Sequence, residues 1–138
     1  MATNDFSQTQ LREQQQNAAN FKCRLIAESG GMMNADEIRV ILDLSTVEEV
    51  RNCVAAREVL AVDDNGELRF PVLQFDGRRV RPGLIAILKA APDTSGWRLL
   101  QYLLRSEDGL AGDKPIDLIQ GSGKDIERAV RFAKRLED

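Results

Sequence analysis

Apolar positions recur at helical spacing along most of the chain and give way to β-prone runs only around residues 59–75. The clearest helix is the last. Ile126, Ala129, Val130 and Ala133 fall at i, i+3, i+4 and i+7, one buried stripe, while Arg128, Arg131, Lys134 and Arg135 take the wet side. One face packs and the other is free for a partner. Upstream, Leu84, Ile85, Ile87, Leu88 and Ala91 leave almost no polar face on one helix, and Trp97, Leu99, Leu100, Tyr102, Leu103 and Leu104 do the same for the next. Helices apolar all round must be covered on every side, either by the N-terminal part of the chain or by a second chain, and a homodimer or a partner-bound state is expected. Trp97 and Tyr102 read as core residues rather than a cofactor platform. Between these helices and the last, Pro115 suits a first helical turn, and Asp113 is expected to accept hydrogen bonds from the free amides that follow, so KPIDLIQ reads as a short, sharply started helix.

The N-terminal half is patterned differently. Residues 1–31 form a polar, Gln-rich segment (QTQLREQQQNAAN) expected to be partly helical, with a frayed start, and to end at Gly30 and Gly31. Leu11, Ala18 and Leu25 fall at intervals of seven, the spacing of a dimer seam, although ordinary packing on the body of the protein explains it as well. Asn34 with Glu37 forms a capping-box pattern ahead of Ile38, Ile41, Leu42 and Leu44, and Ser45-Thr46-Val47-Glu48 opens a second helix bearing Val47, Val50 and Val54. Then come Val59–Val62, the turn Asp63-Asp64-Asn65-Gly66, and Glu67–Phe75. An Asn-Gly pair between two β-prone runs is a hairpin signal, and Pro71 should keep its strand at an edge or end its pairing. Asp76-Gly77 and Pro82-Gly83 read as turns marking a boundary. The expected fold is mainly α: a winged helix-turn-helix-like module with one β-hairpin over residues 32–81, then a small helical domain over 82–138.

Composition narrows the chemistry. With 43% hydrophobic residues the 138-residue chain buries a real core, and a formal net charge of -3 advertises no bulk field for nucleic acid. There is no histidine, and Cys23 and Cys53 sit in no metal-ligand spacing, so a zinc site and a His-based triad are not expected. Gly121-Ser122-Gly123-Lys124 lacks the spacing and the lysine-serine ending of a phosphate loop. No catalytic set, cofactor or metal is expected. No apolar run approaches ~18 residues, and MATNDFSQTQ lacks the regions of a signal peptide, so a cytoplasmic address with no membrane contact is expected.

The order of parts from Trp97 to Asp138 resembles the toxin-binding domain of the Xre/MbcA/ParS family of bacterial antitoxins. Its members share a hydrophobic helix, then Leu-x-Gly-x-x-Pro-(Leu/Ile)-Asp-Leu-(Leu/Ile), then a Gly before the last helix. The matching residues are Leu110, Gly112, Pro115, Ile116, Asp117, Leu118, Ile119 and Gly121. Taken singly, Gly112 and Gly121 are helix caps, Pro115 a start signal and Asp117 a first-turn charge favoured by the helix dipole. The resemblance implies a toxin-binding surface made of Leu110, Gly112, Pro115, Ile116, Asp117, Leu118 and Gly121 together with Arg128, Arg131 and Arg135. The implied partner is a cognate toxin, in this family often a RES-domain enzyme that consumes NAD. Some members plug the toxin's active site with a C-terminal tail; here, with Arg135-Leu136-Glu137-Asp138 at the end, steric cover or contact by the C-terminal carboxylate is expected instead.

Antitoxins of this family usually also repress their own operon. A helix-turn-helix followed by a hairpin resembles the winged domains of excisionase-like and MerR-like regulators, whose second helix enters the major groove. AREVLAVDDNGELRFPVLQFDGR likewise resembles the segment ahead of the toxin-binding domain in some members of the antitoxin family. The candidate DNA contacts are Arg51, Arg69, Arg78, Arg79 and Arg81. Charge argues against the helix itself: residues 36–67 hold nine acids and three bases, and Glu48 and Glu49 open the would-be recognition helix. Such a surface repels a duplex. Residues 69–105 compensate with seven bases against two acids. The expectation is therefore an antitoxin-like binding protein that autoregulates its operon. The alternatives are a DNA-binding regulator whose C-terminal helices only dimerise, and a scaffold with neither role.

Overall fold

The computed structural model describes the backbone of residues 2–137 and the side chains of residues 12–137, Gln14 excepted. Residues 2–28 contain no Gly or Pro and are rich in good helix formers, and they make one continuous helix, α1 (Ala2–Glu28), where a frayed start was expected. Of the seven-residue series, Leu25 is buried and Ala18 exposed, while the side chain of Leu11 lies outside the described residues. Gly30 and Gly31, at φ 82° and 105°, turn the chain back into β1 (Met32–Met33). Two residues carry no periodicity, so the sequence reading does not anticipate this strand.

Asn34 and Glu37 close the expected capping box on α2 (Ala35–Ile41). In α3 (Val47–Ala55) the register is one residue later than expected: Thr46, not Ser45, is the cap and accepts from the Glu49 amide, while the Ser45 amide donates to the Glu49 carboxylate. The hairpin follows as β2 (Val62–Asp64) and β3 (Glu67–Pro71), with Asn65 and Gly66 at φ 55° and 91°, the left-handed pair that an Asn-Gly hairpin turn requires. Strand order is β1-β3-β2, so β3 is central, and Pro71, paired with Met32, ends the ladder rather than marking an edge strand. A second ribbon, β4 (Phe75–Asp76) with β5 (Arg79–Val80), turns at Gly77.

Pro82-Gly83 is not a loop turn. Pro82 occupies the first turn of α4 (Pro82–Ala90), where its fixed φ is already helical, and Gly83 is buried against Ile119, whose Cβ would lie 2.8 Å from an added methyl. Next come α5 (Gly96–Leu104), α6 (Pro115–Leu118) and α7 (Gly123–Ala133), the last opened by a Ser122–Asp125 capping box. Asp113 does not cap α6. The capping position belongs to Lys114 and carries no side-chain bond, because Pro115 has already removed one of the amides to be satisfied. The mainly α fold with a hairpin and a helical C-terminal part is as expected.

One hydrophobic cluster runs through both halves, from Ile38 and Val50 through Leu60 and Phe70 to Leu84, Leu88, Leu99, Leu103 and Ala129. The apolar helices are thus covered from within: α7 packs on α4, and α1 and β2 pack on α5. A second chain is not needed as their cover. Three polar pins cross the junction between the sheet region and the helices or hold its near side in place. Gln74, fully buried, donates to the Leu60 carbonyl and accepts from the Leu60 amide, both at 2.8 Å. The Arg57 guanidinium donates to the carbonyls of Leu88 (3.0 Å) and Ala91 (2.7 Å), taking up free acceptors at the end of α4. The Trp97 indole N-H donates to the Asp63 carbonyl at 2.8 Å.

Candidate functional site

The residues matching the antitoxin motif divide into two sets. Leu110, Pro115, Ile116 and Leu118 are buried, together with Ile119, and hold α6 between α5 and α7. Their side chains support a surface, and of these only Leu110 also reaches the wall of a cleft. Gly112, Asp117 and Gly121 are exposed. Gly112, at φ +81°, completes a left-handed turn begun by Ala111 at φ 57°, and its amide donates to the Glu107 carbonyl at 2.8 Å. At Gly121 an added methyl would meet the Asp125 carboxylate at 2.6 Å, so the glycine leaves room for the group that caps α7.

The three arginines of α7 do come together. Arg128, Arg131 and Arg135 line an open cleft of about 210 Å³ with Phe132, Leu110 and Gly109. Arg128 reaches Asp125 at 3.5 Å, and the Arg135 guanidinium stacks 5.1 Å from the centre of the Phe132 ring, an arrangement that attracts the cation to the ring face and holds it over the cleft. Arg131 has no ion-pair partner among the described residues. Phe132 is fixed from beneath by Tyr102, whose ring lies parallel at 6.0 Å and whose hydroxyl donates to the Ala129 carbonyl at 2.7 Å. Burial, with a smaller contribution from Glu107, pushes the Tyr102 phenol well above its ordinary range. Gly109 is the residue that the sequence reading missed: a methyl there would run into the edge of the Phe132 ring. Its only sequence signal is a glycine one residue before Leu110.

The DNA candidates fall in two places, Arg51 and Arg69 lining one open cleft and Arg78 and Arg79 another, and most are engaged within the fold. Arg51 lies on α3 beside Glu48 at 3.6 Å, Arg69 pairs with Glu67 at 2.6 Å, and Arg79 reaches Asp76 at 3.6 Å. The Arg81 Nε donates to the Leu73 carbonyl at 3.1 Å, a link within the fold. Arg78 stays exposed on the β4–β5 turn. Glu48 and Glu49 occupy the first turn of α3, where they suit the helix dipole and where a duplex would present its phosphates.

Among the described residues no group of His, Cys, Asp or Glu has the arrangement of a metal site, and no helix is long and apolar enough to cross a membrane. The Cys53 thiol is pushed up by burial and then by Glu58 and Glu49, which keeps it protonated and unreactive near neutral pH. Comparison with protein-family models, with characterised proteins and with solved structures finds no match for this chain.

Proposed function

We propose that this protein is an antitoxin-like binding protein of the cytoplasm, acting by protein-protein contact without catalysis, cofactor or metal, and that its partner docks on the face built by α6 and α7. The observation that carries the reading is the division of the motif. Its apolar members are largely spent inside the fold on setting α6 against α7, while Asp117 stays exposed on α6 and Arg128, Arg131 and Arg135 line a cleft on α7. Arginines held over an aromatic ring are efficient anchors at protein interfaces because little side-chain freedom remains to be lost on binding. By the resemblance in the motif, the partner is a toxin, and a RES-domain NAD-consuming enzyme is the first candidate. Repression of its own operon would have to run through Arg78 and its neighbours rather than through α3, whose exposed start is acidic.

The test is co-expression with the product of the adjacent reading frame, followed by co-purification. Asp117→Arg combined with Arg131→Glu changes only exposed side chains, whereas a charge at Leu118 would unfold the protein by entering its core. A stable complex, together with rescue of toxin-arrested growth, is expected for the native chain, with loss of both in the variant. A neighbour that does not bind, or a complex indifferent to the substitutions, would overturn the reading.

A further inference from the structure

A second concave surface shares none of its residues with the arginine cleft. It is an open groove of about 440 Å³ between the α2–α3 corner, the β4–β5 turn and α4. Its floor is apolar: Leu42, Leu44 and Cys53 on one side, Val80 and Ile85 on the other. Its rim is charged and unevenly so. Arg78, Arg79 and Lys89 line it, all exposed, against the single carboxylate of Glu58. Arg79 reaches Asp76, while Arg78 and Lys89 have no ion-pair partner among the described residues.

We propose that this groove binds a short acidic amphipathic segment of a partner protein, with aliphatic side chains on the Leu42–Ile85 floor and Asp or Glu side chains facing Arg78 and Lys89. The apolar floor chooses this occupant over a nucleic acid: a duplex would satisfy the cations with phosphates but would offer the five apolar side chains nothing. A segment laying one apolar face into a groove between charged rims satisfies both sets at once, with the charges governing encounter and register. Because the Cys53 thiol stays protonated, it belongs to the apolar floor.

The experiment uses the full chain and fluorescence anisotropy with three labelled probes: a short peptide of Glu-Glu-Leu-Leu repeats, its Lys-Lys-Leu-Leu counterpart, and a mixed-sequence DNA duplex. The acidic peptide should saturate, weaken with added salt, and bind at least about tenfold more weakly to Arg78→Glu with Lys89→Glu, two exposed positions whose exchange leaves the core untouched. Arg131→Glu with Arg135→Glu should leave that affinity unchanged. Absence of acidic-peptide binding would overturn the proposal, as would equal binding of the basic peptide or tighter binding of the duplex. Loss of peptide binding in the α7 variant alone would also overturn it. So would self-association of the free protein that the Arg78/Lys89 exchange abolishes, because a second copy would then be the occupant.

Discussion

Tyr102 ties the chemistry of one hydroxyl to the stability of the arginine cleft. Its O-H donates to the Ala129 carbonyl and its ring backs Phe132, so Tyr102→Phe should remove a hydrogen bond and keep the stacking, at a cost of about 1 kcal/mol near neutral pH. The pH dependence has a definite sign. In the unfolded chain the phenol ionises near its ordinary 10.0, whereas burial holds the proton on the folded form beyond that point. Above pH 10 the unfolded state therefore binds fewer protons than the folded state, and stability falls as pH rises. Thermal unfolding of the native chain should lose more between about pH 9 and 11 than that of Tyr102→Phe. The Cys53 thiol shifts in the same direction but is common to both proteins and cancels in the comparison. Equal losses in the two proteins would assign the effect to another group. Gln74 is a harsher case. Gln74→Leu would leave the Leu60 amide and carbonyl buried without partners, and the urea midpoint should fall by the equivalent of about 2–4 kcal/mol. Nothing in FPVLQFD distinguishes this glutamine from a surface residue of a strand, because its role depends on the return of the Val59–Leu60 segment, fourteen residues away in sequence.

At the scale of elements, what the sequence makes legible is what neighbouring residues decide. The Asn34 capping box, the Asn65-Gly66 turn and the stripe on α7 depend on spacings of one to seven residues; the first two form as expected, and on α7 Ala129 and Ala133 are buried while Ile126 and Val130 are half-buried. The one-residue slip at Thr46, the missing Asp113 cap and the helical start at Pro82 also concern local bonds, but Ser45 and Thr46 offer the same capping chemistry, Pro115 starts α6 without a side-chain cap, and a Pro suits a first helical turn as well as a loop. Strand β1 and the central place of β3 follow from pairing across nearly forty residues, Met32 with Pro71, which periodicity does not encode. The glycines at helix starts separate the two regimes. Gly96 opens α5 hard against the chain entering β2, where an added methyl would overlap the Ala61 carbonyl oxygen, whereas Gly123 opens α7 with nothing within 4 Å. Gly96→Ala should therefore destabilise by about 2–3 kcal/mol through overpacking. Gly123→Ala should leave stability unchanged or raise it by up to about 1 kcal/mol through helix propensity. Chemical denaturation of the two variants side by side checks the argument, and equal effects would mean that the approach of α5 to β2 relaxes freely.

For the whole molecule the question is whether the boundary read at residues 81 and 82 divides two folding units. Composition changes there, but the core does not: the cluster passes from α2 and the sheet into α4, α5 and α7, and Arg57 and Trp97 bridge the same junction with hydrogen bonds. A chain of this size with one continuous core should unfold in a single cooperative step. Trp97 is the only tryptophan, and its indole is bonded to the sheet at Asp63, so its fluorescence reports on the junction while far-UV circular dichroism reports on the helices. The two urea curves should coincide. Arg57→Ala should move both to lower urea together, by about 2 kcal/mol, since two carbonyls at the end of α4 lose a charged donor. Residues 82–138 expressed alone would carry α4 and α5 without the sheet and helices that cover Leu84, Leu88, Leu99 and Leu103, and that fragment should lack a cooperative transition. If instead the fluorescence transition came first and the fragment unfolded cooperatively by itself, the C-terminal helices would be an independent domain. The α6–α7 face would then be presented whether or not the N-terminal half was folded. A single transition makes the opposite demand: the sheet, Arg57 and Gln74 set the position of α4, α4 sets α7, and the arginine cleft exists only when the whole chain is folded.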